Sequence, residues 1–252
     1  MPQFPSLRRS HTLRGLREDA TSVRRRLRGQ PSPGEAQRQA QRALVERYLA
    51  SHDVAKLQIG AGDVLVEGWL SSDLVPKHPE VMPLNAARRW PFPDHSLDHV
   101  YGEHLIEHLT WAGGQRALAE CLRVLKPKGV LRLATPDLAR LVAAYLGEAG
   151  PDGDHYLRWV QWRHLPNAPH RHPAFMLNHV VRAWGHRFLY DAEVLRIALS
   201  DAGFVDVAAR EFGESPHEHL RGIERHHAKS GGAPRERAVR FETMVFEATS
   251  PG

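Results

Sequence analysis

Three side chains that can move protons or bind metal ions lie close together in one short segment. The sequence GEHLIEHL, residues 102–109, contains His104, Glu107 and His108 in the order H-x-x-E-H. Histidines four residues apart face the same side of a helix, so the pair is predicted to project together into a cleft. A neutral imidazole can accept a proton near neutral pH. We expect His108 to be a catalytic base, with His104 as the alternative and Glu107 or Glu103 orienting the ring.

The same spacing occurs in one group of zinc peptidases, in which both histidines bind the metal and the glutamate acts as the base. That motif belongs on a long helix. Here it follows a predicted strand and is followed at once by TWAGG, residues 110–114. A zinc hydrolase and a purely structural pair of histidines are kept as alternatives, and we expect that no metal is required.

A glycine turn follows the first predicted strand. LQIGAGD, residues 57–63, places Gly60 and Gly62 where the backbone turns sharply and a ligand can approach main-chain amides. Asp73 ends the next predicted strand, where its carboxylate can accept both hydroxyls of a ribose. This pattern predicts a site for a nucleoside.

The short interval between Gly62 and Asp73 limits the kind of nucleoside. It is too short for a helix followed by a strand, so the first crossover is predicted to be a loop or a single turn. No helix N-terminus is then available for a pyrophosphate, and Val64 stands where a third glycine would fall. Both features disfavour NAD and FAD and allow a nucleoside without phosphates.

Predicted strands and helices alternate along most of the chain. Strands are predicted at 54–59, 69–74, around 99–101, and at 130–136, 205–211 and 242–249, and helices at 35–50, 114–125, 137–146 and 191–203. This alternation indicates an α/β fold of Rossmann-like type, with a doubly wound, mostly parallel sheet. The last two strands are predicted to form an antiparallel edge. Residues 150–187 interrupt the alternation and are predicted to be a helical insertion before the last strands.

The positive charge of the chain is concentrated at its N-terminus. The 252 residues carry a formal net charge of +5, but residues 1–30 contain eight arginines and only two acidic residues. The remainder therefore carries about −1. We assign residues 1–34 to a basic, flexible extension and residues 35–252 to the globular domain. An arm that binds nucleic acid or anionic membrane is the alternative, which the single Phe and the lack of Tyr or Trp in the extension disfavour.

The cysteine content bears on the compartment. A single cysteine, Cys121, excludes a disulfide framework and is typical of a reducing compartment. No secretory signal pattern and no apolar stretch long enough for a membrane span is visible. We expect a cytoplasmic protein.

Four segments together resemble a known family. They are LQIGAGDVLVEGWLSSDL (57–74), LNAARRWPFPDHSLDHVYGEHLIEHL (84–109), ALAECLRVLKPKGVLRLATPD (117–137) and GHRFLYDAEVLRIALSDAGFVDV (185–207). This combination is similar to class I S-adenosylmethionine-dependent methyltransferases, in particular to a small bacterial branch with an abbreviated first crossover. The resemblance covers roughly residues 55–210.

The resemblance implies S-adenosylmethionine as the cofactor, bound at the ends of several strands. Its methionine part would contact Gly60, Ala61 and Gly62, its ribose Asp73, and its adenine Leu74, Asn85 and Ala86. Many members carry an acidic residue where this chain has Gln58. Glu103 is therefore expected to hold the ammonium group of the cofactor instead.

The predicted activity is O- or N-methylation of a small-molecule or glycan acceptor. The family places acceptor-binding elements where residues 150–187 lie here, and aromatic and histidine side chains suit a sugar or another polar ring. The candidates are Tyr156, Trp159, Trp162, His164, His170, His172, Asn178 and His186. The alternative for this segment is an insertion that only covers the core. A nucleoside-binding module without turnover and a nucleic-acid methyltransferase are the alternative functions, and the absence of an N/D-P-P-Y/F motif disfavours the latter.

Overall fold

The computed structural model describes residues 33–226 and 232–252. Most of the predicted basic extension therefore lies outside the described residues. The chain divides into two compact units, Met1–Arg47 and Tyr48–Gly252. No helix among the described residues is long and apolar enough to cross a bilayer.

Seven strands form one mixed sheet, as the α/β prediction requires. In chain order they are β1 Lys56–Ile59, β2 Leu70–Asp73, β3 Met82–Pro83, β4 Leu97–Glu103, β5 Leu125–Pro136, β6 Val205–Arg210 and β7 Thr243–Thr249. Their order across the sheet is β3-β2-β1-β4-β5-β7-β6. The first five strands pair in parallel, and β7 runs antiparallel to both β5 and β6, which confirms the Rossmann-like sheet with an antiparallel edge.

Seven α-helices accompany the sheet. They are α1 Pro33–Ser51, α2 Trp111–Val124, α3 Leu138–Leu146, α4 Gly150–His164, α5 Pro173–Arg182, α6 Ala192–Asp201 and α7 Gly232–Glu242 among the described residues. Helix α2 begins earlier than predicted because the hydroxyl of Thr110 accepts a hydrogen bond from the amide of Gly113 and caps the first turn. The predicted insertion consists mainly of α4 and α5. Helix α7 was not predicted from the sequence.

The first crossover contains no helix, as predicted from its length. Gln58 on β1 holds this loop with its buried side-chain amide. Its Nε2 donates to the carbonyl of Val64 at 2.8 Å, and its Oε1 accepts from the amide of Val66 at 3.1 Å and the hydroxyl of Ser71 at 2.9 Å. A glutamine supplies both the donor and the acceptor that this arrangement needs, which a carboxylate does not.

Helices α3, α4, α5 and α7 share an apolar core of their own. Its buried members are Leu141, Ala144, Tyr156, Val160, Met176, Val180 and Ala238. We call α4, α5 with the residues 183–187 that follow it, and α7 the helical cap. The cap helices pack on one another and on α3 through this shared core.

Candidate functional site

A cavity of about 530 Å³ opens at the carboxyl ends of β1, β2 and β4. Open α/β sheets bind their ligands at this edge. Of the residues predicted to bind the cofactor or to act in catalysis, all but Glu107 line it: Gly60, Ala61, Gly62, Asp73, Leu74, Asn85, Ala86, Glu103, His104 and His108. The cavity lies within the usual size range for a small-molecule or cofactor site.

The glycine turn is built so that only glycine fits at position 60. Gly60 has a φ of +67° and Gly62 a φ of +54°, in the left-handed region that other residues rarely adopt. A Cβ at Gly60 would lie 2.8 Å from Cδ1 of Leu105. The backbone thus lies close under the cavity with no side chain to fill it, which suits a ligand that contacts the main chain.

Asp73 stands at the end of β2 with its carboxylate on the cavity wall. Its Oδ2 accepts from the amide of Gly62 and its Oδ1 from the amide of Val75, both at 2.9 Å. These bonds fix the orientation of the carboxylate and tie it to the glycine turn. Each oxygen keeps a lone pair, so the pair can accept the two hydroxyls of a ribose.

The residues expected beside an adenine form the neighbouring wall. Leu74 is 64% exposed, so its apolar side chain is available to a ring. The Oδ1 of Asn85 accepts from the amide of Ala87 at 3.0 Å, which leaves its Nδ2 as a donor. Ala86 is buried beside it. An apolar surface with a few polar groups is the usual composition of a site for a planar ring.

Glu103 ends β4 and also lines the cavity. Its carboxylate accepts hydrogen bonds from the amides of Arg225 at 2.9 Å and His226 at 3.0 Å. It therefore anchors a distant segment of the chain at the cavity edge. The side chain of Gln58 is occupied by the crossover loop. The role of Glu103 toward an ammonium group stays a prediction.

His104 does not lie on a helix, so the helical relationship predicted for the two histidines is wrong. The 3₁₀ helix begins only at Ile106 and ends at His108. His104 has a φ of +49°, and its amide still donates to the carbonyl of Ala134 at 2.8 Å, which continues the pairing of β4 with β5. Attachment to the sheet prevents His104 from joining the helical turn, although both histidines line the cavity.

Glu107 lies beneath the cavity and is fully buried. Its Oε1 lies 3.2 Å from Nδ1 of His104, and its Oε2 accepts from the hydroxyl of Thr135 at 3.0 Å. Burial alone would lower the pKa of His104, but Glu107, with the charges of Glu242 and Glu103, raises it above its usual value. Burial likewise would raise the pKa of Glu107, but His104 and His108 lower it. The pair is thus stabilised as imidazolium and carboxylate.

His108 faces a different partner. Its ring centroid lies 5.0 Å from that of His186, which follows the helical cap helix α5. The Nδ1 of His186 lies 2.7 Å from the carbonyl of Val180 and must donate to it, so this nitrogen carries the hydrogen. Burial lowers the pKa of His186, which favours its neutral form. Of the two histidines, His104 is the one that forms an ion pair with Glu107 among the described residues.

Three of these residues could bind a metal ion. Ligand atoms of Glu107, His108 and His186 all lie within 4.8 Å of one another, the only such group of three found among the described residues. His104 is not part of it. The two-histidine ligand set of a zinc peptidase is therefore not formed by the H-x-x-E-H motif, which weakens the zinc hydrolase alternative.

The helical cap forms a wall of the cavity, and only some of its residues were predicted from the sequence. Trp159, His164 and His186 of the predicted acceptor segment line the cavity, and so does Trp184, whereas Tyr156, Trp162, His170, His172 and Asn178 do not. Burial, with the neighbouring His179, lowers the pKa of His164 to about 4. This part of the wall is therefore aromatic, and burial disfavours the charged form of His164.

Helix α7 contributes residues that were missed. Arg235, Val239 and Glu242 line the cavity, and Glu242 is only 9% exposed. The hydroxyl of Tyr156 donates to Glu242 Oε2 at 2.5 Å. Burial raises the pKa of Glu242, against the lowering effects of His104 and Tyr156. The segment GAPRERAVRFE carries no motif, so only the fold reveals this carboxylate.

A comparison with protein-family models finds a match for part of the chain. Residues 67–133 match the family model described as a methyltransferase domain. Together with the sheet order, this match confirms the resemblance to the class I methyltransferases. No curated protein matches the sequence significantly.

Several solved structures share features of the fold at low identity. A SAM-dependent methyltransferase from Archaeoglobus fulgidus is 18% identical over 84% of this chain and 94% of its own, with a TM-score of 0.46. One from Thermotoga maritima is 15% identical over 84% and 88%, with a TM-score of 0.43. Phosphoethanolamine N-methyltransferase 2 of Haemonchus contortus is 13% identical over 84% and 53%, with a TM-score of 0.38. Similarity at this level says nothing about the acceptor.

Proposed function

We propose that the chain is an S-adenosylmethionine-dependent methyltransferase that methylates an oxygen or nitrogen of a small-molecule or glycan acceptor. The observation that carries the proposal is the cavity, where the glycine turn, the fixed carboxylate of Asp73 and the imidazole of His108 meet. Gly60 to Gly62 would contact the methionine part of the cofactor, Asp73 its ribose, and Leu74, Asn85 and Ala86 its adenine. Glu103 would hold the ammonium group.

S-adenosylmethionine, when bound, supplies a methyl group on a positively charged sulfur. A nucleophile attacks the methyl carbon in line with the carbon–sulfur bond, and the sulfur leaves. The protein then needs mainly to align the acceptor and exclude water. Trp159 and Trp184 line the cavity from the helical cap and would cover the acceptor. Their aromatic faces suit a sugar or another polar ring.

A hydroxyl or ammonium acceptor must also lose a proton, and His108 is the proposed base. His104 is poorly suited because Glu107 and the neighbouring carboxylates favour its protonated form. His108 has no such ion pair among the described residues, and its neighbour His186 is neutral. His104 would instead present a fixed positive charge beside the cavity, and Glu107 would act by positioning that ring.

Binding of S-adenosylhomocysteine, measured by calorimetry, tests the cofactor site. We expect saturable binding of one equivalent to the metal-free protein. A protein that binds none would contradict the proposal. Binding without transfer to any acceptor in a panel of amines, phenols and sugars would favour a nucleoside-binding module instead.

His108→Ala tests the base. It should leave the affinity for S-adenosylhomocysteine nearly unchanged and lower kcat by about 10²- to 10⁴-fold. His170→Ala is the control, because His170 is exposed and does not line the cavity. Full activity of His108→Ala would remove His108 from this role.

A further inference from the structure

A second groove, of about 850 Å³, adjoins the cofactor cavity. The two share four lining residues, Leu74, Asn85, His108 and Leu109. His108 thus forms part of both walls. A molecule lying in this groove has one end beside the proposed base.

The groove is strongly basic. Arg88, Arg89, Arg116 and Arg187 line it together with a single carboxylate, Glu120. Glu120 is already neutralised, since Arg123 Nη2 lies 2.5 Å from its Oε2 and Arg89 Nη1 lies 3.4 Å from its Oε1.

The other three arginines keep their charge uncompensated. Arg88, Arg116 and Arg187 are exposed, and none of them forms an ion pair with a carboxylate of the part of the chain that the structure describes. Arg116 is held in place by a hydrogen bond from its Nε to the carbonyl of Ala87 at 3.3 Å. Since residues 31–252 carry a net charge of about −1, this concentration of charge is local and does not reflect a basic domain.

We propose that this groove binds a phosphate group of the methyl acceptor, so that the acceptor is a phosphorylated small molecule. The inference rests on the proposed function and narrows its substrate class. Guanidinium groups match phosphate oxygens with paired hydrogen bonds. The groove is larger than a phosphate alone requires, so the rest of the molecule can extend past His108 toward the cofactor cavity.

A nucleic acid is a poorer match for the same charges. Single-stranded nucleic acids are held by basic grooves whose aromatic side chains stack on the bases. The groove lining contains no Phe, Tyr or Trp. The arginines therefore favour an isolated phosphate on a small molecule.

The test is calorimetric titration at low ionic strength with inorganic phosphate and with a hexose phosphate, in the presence of S-adenosylhomocysteine. The variants are Arg116→Gln, Arg187→Gln and the double variant. Each single substitution should weaken phosphate binding about tenfold, since a charge-assisted contact contributes roughly a factor of ten or more. Arg158→Gln is the control, because Arg158 is exposed on α4 and lines neither groove nor cavity.

The outcomes separate the two proposals. The double variant should still bind S-adenosylhomocysteine like the wild type, and a hexose phosphate should bind at least as tightly as inorganic phosphate. Equal phosphate affinity of all variants would overturn the groove assignment, as would tight binding of a single-stranded oligonucleotide without binding of either small phosphate. Phosphate binding that depends on Arg116 and Arg187 in a protein that fails to bind S-adenosylhomocysteine would refute the proposed function alone.

Discussion

The Nδ1 of His104 lies 3.2 Å from Oε1 of Glu107, and neither side chain is well exposed to solvent. Sequence spacing suggests a relation between His104 and His108, but the structure pairs the histidine with the carboxylate. The pairing gives the two imidazoles different electrostatic environments. His104 is paired with a buried carboxylate that raises its pKa, and His108 is the histidine proposed as the base.

The buried pair predicts a pH dependence of stability. The pKa of His104 is raised on folding, so its contribution is fully present below about pH 6.5 and is lost as the pH rises through the folded value. The pKa of Glu107 is lowered, so its contribution is present above the unfolded value and is lost as the pH falls through the folded one. The pair therefore stabilises the fold most between the unfolded pKa values of the two groups, about 4.3 for Glu107 and about 6.5 for His104.

Glu107→Gln should remove this dependence and lower the pKa of His104. Urea unfolding between pH 4 and 9, with NMR titration of the His104 ring, measures both effects. Glu80→Gln is the control, since Glu80 is exposed and lies on the loop before β3. An unchanged pKa of His104 in Glu107→Gln would show that the pair does not govern its protonation.

The glycine turn predicts a steric effect at one position. Gly60→Ala should destabilise the fold by more than the ~1–2 kcal/mol that the left-handed conformation costs, because the new Cβ meets Leu105. It should also weaken binding of S-adenosylhomocysteine. Gly147→Ala is the matched control, with a φ of +76° and nothing within 4 Å of the added Cβ. Equal losses of unfolding free energy in the two variants would argue against the clash.

Substitution of Asp73 is expected to weaken cofactor binding selectively. Asp73→Asn keeps the size of the side chain but removes one acceptor oxygen and the charge, so affinity for S-adenosylhomocysteine should fall about tenfold or more. Asp63→Asn provides the comparison, because Asp63 lies in the loop before β2, pairs with Lys77 at 2.8 Å and does not line the cavity. If both variants lose affinity alike, Asp73 has no special role toward the ribose.

The cluster of Glu107, His108 and His186 predicts inhibition by zinc. A zinc ion bound there would occupy the imidazole of His108, so micromolar Zn²⁺ should inhibit methyl transfer and EDTA should restore it. His186→Asn should raise the zinc concentration needed for inhibition. Loss of activity on adding EDTA to the untreated enzyme would contradict the prediction that no metal is required.

Local sequence was informative where a short segment determines its own geometry. The glycine turn, Asp73 and the helix-free crossover follow from glycine conformation and chain length, and the structure places all of them at one cavity. The start of β5 was less predictable. The sequence predicted a helix at 114–125 and a strand at 130–136, with KPKG (126–129) between them. In the structure Leu125 already pairs with Leu97 and regular pairing resumes at Val130 with His99, so KPKG forms an irregularity inside β5.

Contacts between distant segments could not be inferred in this way. Glu242 lines the cavity and accepts a hydrogen bond from Tyr156, 86 positions earlier, and neither residue belongs to a recognisable motif. The conformation of His104 depends on Ala134 of the neighbouring strand. Both features arise from contacts between distant segments, and local sequence patterns do not predict such contacts.

The separate apolar core of the helical cap has an evolutionary consequence. The residues proposed for the cofactor all lie between positions 60 and 103, whereas the cap begins at Gly150. Substitution of Trp159 or Trp184 would therefore change the wall that faces the proposed acceptor and leave every residue proposed for the cofactor in place. Under the proposed function, descendants of this protein would change their acceptor at the cap and keep the same methyl donor.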